Sequence, residues 1–304
     1  MVVDPFAAYP GCVVLDGGLA SELERRGADL RDPLWSARVL VEDPALIVEV
    51  HRAYVEAGAD VITGASYQAS FQGLADRGFD REAASRLLAR SVELAREAVD
   101  DRRVLVAASV GPYGAVLANG AEYTGDYELG DASTARTALR DFHLPRAEVL
   151  AAAGPDLLAI ETIPSVVEAE ALVEMLDALG DVPAWVSFSC RDGAHLSDDT
   201  TVEDAVSIAA SSPQVVAVGV NCTPPVFVPE LLRHARATTD TALVAYPNRG
   251  GTWDAAAKTW TGNAVPDGFG PLALDLRASG ARLIGGCCGT GASDIEAIVT
   301  NVRL

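Results

Sequence analysis

The stretch LLAIETIPSVVEAEALVEMLDALGDVPAWVSFSC, residues 157–190, contains one complete structural unit. It opens on an apolar run, LLAIET (157–162). It continues as SVVEAEALVEMLDALG (165–180), with apolar residues three and four apart, and closes on a second apolar run, AWVSFSC (184–190). Continuous rather than alternating apolar runs mark strands buried on both faces, as in a parallel sheet. The segment between them has the period of a helix, and Gly180 is its stop signal.

The same alternation extends in both directions. Further strand-like runs are CVVLD (12–16), DVITGAS (60–66), VLVAASV (104–110), VVAVGVNC (215–222), ALVAYPN (242–248) and RLIGGCC (282–288). Helical periods fill the gaps, as in ALIVEVHRAYVEAG (45–58) and EAASRLLARSVELAREAV (82–99), and Gly58 and Gly280 again mark ends. Eight strand–helix rounds in 304 residues predict an α/β fold, a single (β/α)8 TIM barrel, with an open doubly wound sheet as the alternative. No Pro/Gly/Ser linker interrupts the pattern, so residues 1–304 read as one domain. The longest insert, roughly 111–132, follows the third run and is rich in Gly and Tyr; a loop there is expected to shape an active site.

Composition narrows the partners. The chain has 23 basic and 43 acidic side chains, a formal charge of −20, so it lacks the clustered cations that nucleic acid requires. No apolar run approaches the roughly 18 residues of a membrane span, and no basic residue precedes an apolar stretch at the N-terminus. A cytoplasmic protein with no membrane partner is the expectation. Five cysteines, an odd number, argue for reduced thiols rather than a disulfide framework.

In a barrel the chemistry sits at the C-terminal ends of the strands. Asp16 ends the first run, Ser66 and Tyr67 the second, Glu161 the fourth, Asn221 and Cys222 the sixth, Asn248 the seventh, and Cys287 with Cys288 the eighth. The sixth and eighth strands are next-but-one neighbours, so three thiols can meet above the barrel. Three thiolates suit a zinc ion with its fourth position open, although residue type alone leaves open that they pack as small apolar side chains. Cys12 and Cys190 are assigned that plainer role. Glu161, a carboxylate closing a strongly apolar run, needs a cationic partner; Asp16 reads equally as a turn residue or a functional one. The four histidines, His51, His143, His195 and His234, are expected to be solvated or capping, since none follows metal-motif spacing.

At these positions the sequence resembles the homocysteine S-methyltransferases, in particular the branch using S-methylmethionine or S-adenosylmethionine. The matching stretches run nearly end to end: LDGGLASELERRG (15–27), DPLWSA (32–37), YVEAGADVI (54–62), SYQASFQG (66–73), AASVGPYGA (107–115), DFH (141–143), DLLAIETIP (156–164), AVGVNCTPP (217–225), YPN (246–248) and LIGGCCGT (283–290). The resemblance implies Zn2+ held by Cys222, Cys287 and Cys288, with the homocysteine sulfur in the fourth place. It implies further that Asp16 and Glu161 take the substrate ammonium, that backbone N–H groups around Gly17 and Gly18 lie near its carboxylate, and that Asn221 belongs to the substrate site. Departures at Gly64, Arg249 and Gly251 leave the thiols alone and bear on the donor pocket, where Tyr67, Tyr113, Tyr246 and Trp253 are the candidate aromatic hosts for a sulfonium cation.

Methyl transfer between sulfurs needs a thiolate nucleophile and a positively charged leaving group, and no general acid; the lack of a catalytic His or Ser is consistent with this. The expected donor order is S-methylmethionine, then S-adenosylmethionine, then betaine, since no glycine-rich nucleotide loop follows the first run. Two other functions fit the same residues less closely: another zinc-dependent barrel enzyme, a hydrolase or one acting on a different thiol acceptor, and a zinc or thiol sensor without catalysis.

Overall fold

The computed structural model describes residues 2–30, 36–100, 103–250, 252–254, 259–261, 265 and 268–303, with backbone only at 36–37, 252–254 and 259–261. Its eight-stranded sheet is parallel throughout. The strands are β1 (Val13–Val14), β2 (Val61–Thr63), β3 (Leu105–Val110), β4 (Leu157–Ile163), β5 (Ala184–Phe188), β6 (Val215–Asn221), β7 (Ala242–Tyr246) and, after the separate antiparallel ribbon of β8 (Thr252–Asp254) and β9 (Thr259–Thr261), β10 (Ala281–Ile284). Around the sheet the order is β1-β10-β7-β6-β5-β4-β3-β2. The two ends of that series meet: Leu15 bridges to Val61, the Asp60 N–H donates to the Val14 carbonyl at 2.7 Å, and the Asp60 carboxylate accepts from the Val14 N–H at 2.9 Å. Contacts at both edges of β1 exclude the open sheet, and a barrel results.

Two apolar layers hold it. The interior contains Val13, Leu15, Val61, Ala107, Leu157, Ala159, Trp185, Ala217, Val244 and Leu283, and Phe6 from an N-terminal one-turn helix is buried among them. The Phe6 carbonyl accepts from Arg282 at the start of β10, so this turn plugs the end of the barrel opposite the strand C-termini. The second layer lies between the strands and the outer helices. Those helices start where the sequence offers a cap: Asp80 accepts from Ala83 N at 2.8 Å, Asp131 from Thr134 N at 2.9 Å and Thr201 from Asp204 N at 3.2 Å. Several of the helices stop at glycines in left-handed conformation, such as Gly58 and Gly280.

Two of the four histidines depart from expectation. His195 and His234 do lie near the surface beside Asp192 and Glu203. His51 and His143 are fully buried. His51 occupies the apolar face of the helix Pro44–Glu56 with Ile47, Tyr54 and Val55, and its ring finds no hydrogen-bond partner among the described residues. Burial depresses its pKa to about 4, so it packs as a neutral ring. His143 shares a helix face with Leu139, Ala147 and Leu150, where the charged neighbours Arg140 and Asp141 point elsewhere.

Candidate active site

At the C-terminal ends of the strands a cavity is lined by Asp16, Glu161, Tyr67, Tyr246 and the three thiols of Cys222, Cys287 and Cys288, among others. The sulfur atoms all lie within 4.8 Å of one another, with Cys222 and Cys288 Sγ 3.4 Å apart. Two short paths bring them there. Cys222 leaves β6 with φ +45°, a left-handed conformation that ends the strand and turns the thiol over the barrel, and its N–H is held by the Tyr246 carbonyl at 3.1 Å. Cys287 and Cys288 follow β10, and the Cys287 N–H bonds the Pro247 carbonyl at 2.9 Å. Hydrogen bonding from the other two thiols holds Cys222 well below the usual thiol range, while Cys287 and Cys288 are pushed up. Such a shared-proton trio is what a soft divalent ion replaces.

Asp16 and Glu161 form the other half of the site. Asp16 accepts from Thr63 N at 2.7 Å and Thr63 Oγ1 at 3.1 Å. Glu161 accepts from Ser109 Oγ and, at 3.1 Å, from Tyr246 OH. Burial dominates both and raises Asp16 to about 8 and Glu161 to about 7, and for Asp16 the neighbouring Glu161 adds to the effect. No Lys, Arg or His lines the cavity among the described residues. Two buried carboxylates without a fixed cation form a receptor for a mobile one.

The remaining expected residues divide. Gly17 and Gly18 line the cavity; the Gly18 N–H is already donated to Thr290 Oγ1 at 3.0 Å, and a Cβ at Gly18 would fall 2.5 Å from the Cys287 carbonyl oxygen, so only glycine fits. Asn221 is fully buried inside the wall, not on the cavity surface. Its Oδ1 accepts from Thr162 N at 2.7 Å and Ser187 Oγ at 2.9 Å, and its Nδ2 donates to Thr162 Oγ1 at 2.8 Å. It therefore clamps Thr162, a β-branched residue at φ +63°, beside Cys222. Tyr246 reaches the site through its hydroxyl, which accepts from Trp185 Nε1 at 2.9 Å. Tyr113 does not line the cavity: its ring packs edge-on against Tyr127 and Phe142. The Trp253 side chain, Gly251 and residues 32–35 of the DPLWSA stretch lie outside the described residues.

Sequence reasoning missed Tyr123 and Glu122. Both come from the one-turn helix Ala121–Tyr123 of the 111–132 insert, line the cavity, and place Tyr123 OH 3.2 Å from Cys222 Sγ. The composition of the insert pointed to the segment, but nothing in its irregular spacing distinguished Tyr123 from Tyr113.

The sequence profile of the homocysteine S-methyltransferases matches residues 13–302. The chain belongs to that family. It is 47% identical to homocysteine S-methyltransferase 2 of Zea mays, over 96% of this chain and 90% of the relative. It is 43% identical to homocysteine S-methyltransferase YbgG of Bacillus subtilis, over 97% and 95%. Among solved structures, the metallated form of the homocysteine methyltransferase MmuM from Escherichia coli superposes with a TM-score of 0.86 at 44% identity, covering 97% of this chain and 99% of that one.

Proposed function

We propose that this homocysteine S-methyltransferase family member moves a methyl group from a sulfonium donor to the sulfur of L-homocysteine, forming methionine, with Zn2+ as the resident metal. The observation that carries the reading is the meeting, in one cavity, of three thiols within 4.8 Å and two buried carboxylates without a fixed cation. The trio fits zinc. Zn–S bonds of ~2.3 Å space tetrahedral sulfurs about 3.8 Å apart, and the trio is compatible with that value, with Cys222 and Cys288 Sγ 3.4 Å apart and all three sulfurs within 4.8 Å. When bound, the zinc ion supplies the acidity that keeps a coordinating thiol deprotonated at neutral pH.

The chain's own residues do the rest. Cys222, Cys287 and Cys288 would hold the metal. Asp16 and Glu161 bind the homocysteine ammonium and thereby orient its sulfur. Tyr67, Tyr123 and Tyr246 offer aromatic surface to the donor's sulfonium. Alignment of the two sulfurs is the main catalytic contribution, since well-oriented intramolecular reactions gain about 7–11 kcal/mol from it.

S-Methylmethionine is the preferred donor, ahead of S-adenosylmethionine and betaine, because the chain carries no glycine-rich nucleotide loop after β1 and a small sulfonium fits a cavity walled by tyrosines. The test is competition with homocysteine as acceptor and equal low concentrations of the two sulfonium donors, one bearing a deuterated methyl. Methionine labelled mainly from S-methylmethionine is expected; label mainly from S-adenosylmethionine, or faster turnover with betaine, overturns the donor order.

A further inference from the structure

Arg249 stands out in the sequence as a departure from the family pattern, which points it at the donor pocket and away from the thiols. The structure places it elsewhere. Arg249 does not line the cavity but lies directly behind Cys288. Its N–H donates to the Cys288 carbonyl at 2.9 Å, its Nε donates to the Gly289 carbonyl at 2.9 Å, and its outer nitrogen pairs with Asp294, which also accepts from Gly291 N at 2.9 Å. A second guanidinium converges on the same carbonyl from the other side: Arg25 donates to Gly289 O at 2.6 Å and to Thr290 O at 3.0 Å. Gly289 has φ +82°, and a Cβ there would lie 2.8 Å from Arg249 Cβ, so the peptide is pressed against its clamp. Ser21 completes the grip by accepting from Gly289 N at 2.7 Å.

We propose that Arg25 and Arg249 are positioning residues for the metal site, sharing the Gly289 carbonyl so that Cys287 and Cys288 face Cys222 in a geometry ready for metal. This rests on the reading of the thiol trio as a metal site. Backbone bonds from the Cys287 N–H to the Pro247 carbonyl and from the Thr290 N–H to the Cys287 carbonyl fix part of the loop after β10, and the side-chain partners fix the Gly289 peptide between them, which metal binding would otherwise have to order. The planar guanidinium suits the task because one Arg249 side chain directs separate N–H groups in a fixed fork at Gly289 O and Asp294, whereas a lysine offers its donors from one freely rotating ammonium.

The test measures zinc affinity by competition with a chromophoric chelator, and the thermal midpoint of the metal-free protein, for wild type, Arg25→Ala, Arg249→Ala and Arg249→Lys. Partners that orient metal ligands are typically worth roughly 10–100-fold in affinity, and a loss of that size is expected for Arg249→Ala and Arg25→Ala. Arg249→Lys, which keeps the charge but not the fork, should fall between Arg249→Ala and wild type. A purely structural role would lower the metal-free midpoint and leave zinc affinity within twofold of wild type, and that result overturns the proposal. Should Arg249→Ala not fold, the zinc affinities of Arg25→Ala and Arg249→Lys decide between the same two outcomes. A wild-type protein that binds zinc no better than its Cys222→Ser variant would instead remove the metal reading, and this proposal with it.

Discussion

Asp16 and Glu161 hold protons that carboxyls ordinarily lose, and this has a measurable consequence. In the unfolded chain such groups titrate near ~4; folded, they reach about 8 and about 7. Between those limits the folded state binds more protons than the unfolded one, so the ligand-free protein loses stability as the pH rises from about 4 to about 8. Below that window their penalty vanishes, and above it the penalty is complete. Urea unfolding of the metal-free protein at pH 5 and pH 8 should show this slope, and Asp16→Asn and Glu161→Gln should each flatten it; an unchanged slope in both would contradict the burial argument. An ammonium ligand favours the ionised carboxylates, so methionine, which has the amine without a thiol, should release protons on binding at pH 6–7. Calorimetry in two buffers of different ionisation enthalpy reads that number directly. Glu161→Gln should weaken homocysteine about 10–100-fold, the worth of one charged hydrogen bond at roughly 1.5–3 kcal/mol, without changing metal content, and should affect a simple thiol lacking the amine far less. Glu161 was legible in the sequence because it closes an apolar run, where a charge needs a reason, whereas Asp16 in LDGG read equally as a turn residue. Asn221 was legible only as a strand end: which face it presents depends on the left-handed turn at Cys222, which no residue type announces.

Among the elements, the insert after β3 is clipped near both ends by one buried carboxylate. Glu168, in the helix Val166–Leu179, accepts from Tyr113 N at 2.6 Å near the start of the insert, from Tyr127 OH at 2.6 Å near its end, and pairs with His143 Nε2 at 2.8 Å. Arg146 completes the cluster through His143 Nδ1 and the Gly111 carbonyl. The clip closes the loop that presses Tyr123 against Cys222. Removing one member of a buried charged network costs about 3–5 kcal/mol, so Glu168→Ala should lower the thermal midpoint by several degrees, as differential scanning calorimetry would show. It should also raise KM for the sulfonium donor more than KM for homocysteine, whose carboxylates lie on β4 and at the end of β1; equal changes would argue against the insert as the donor-side wall. The sequence placed the eight barrel strands correctly but extended several past their last ladder bond, as with 282–288 against Ala281–Ile284. The reason is physical: the rim loops of this site are made of Gly, Cys and Ala, which are apolar by composition yet leave the ladder to turn over the cavity. His143 and Tyr113 were misjudged for a related cause, since a buried polar cluster has no periodic signature.

Over the whole molecule, parallel strands joined by outer helices bring residues from seven of the eight barrel segments to one rim, although Asp16 and Cys288 are separated by almost the full length of the chain. The closed barrel was readable from eight repeats of one pattern; the residues of its seam were not, because Leu15 bridging to Val61 and Val14 bonding with Asp60 join two runs that look like all the others. Among the described residues no helix is long and apolar enough to cross a membrane. The metal reading makes a stoichiometric claim at this scale: the isolated protein should hold close to one zinc per chain, and Cys222→Ser, Cys287→Ser and Cys288→Ser should each lose it, whereas Cys12→Ser and Cys190→Ser, which lie away from the trio, should keep it. The most direct measurement supplies uniformly 13C-labelled homocysteine and unlabelled S-methylmethionine to the zinc-loaded protein and follows labelled methionine by mass spectrometry, in wild type and in Cys288→Ser. Labelled methionine appearing in step with donor loss in wild type, and absent from the variant, is the predicted result; no labelled methionine with any sulfonium donor, or equal turnover by the variant, would contradict the account.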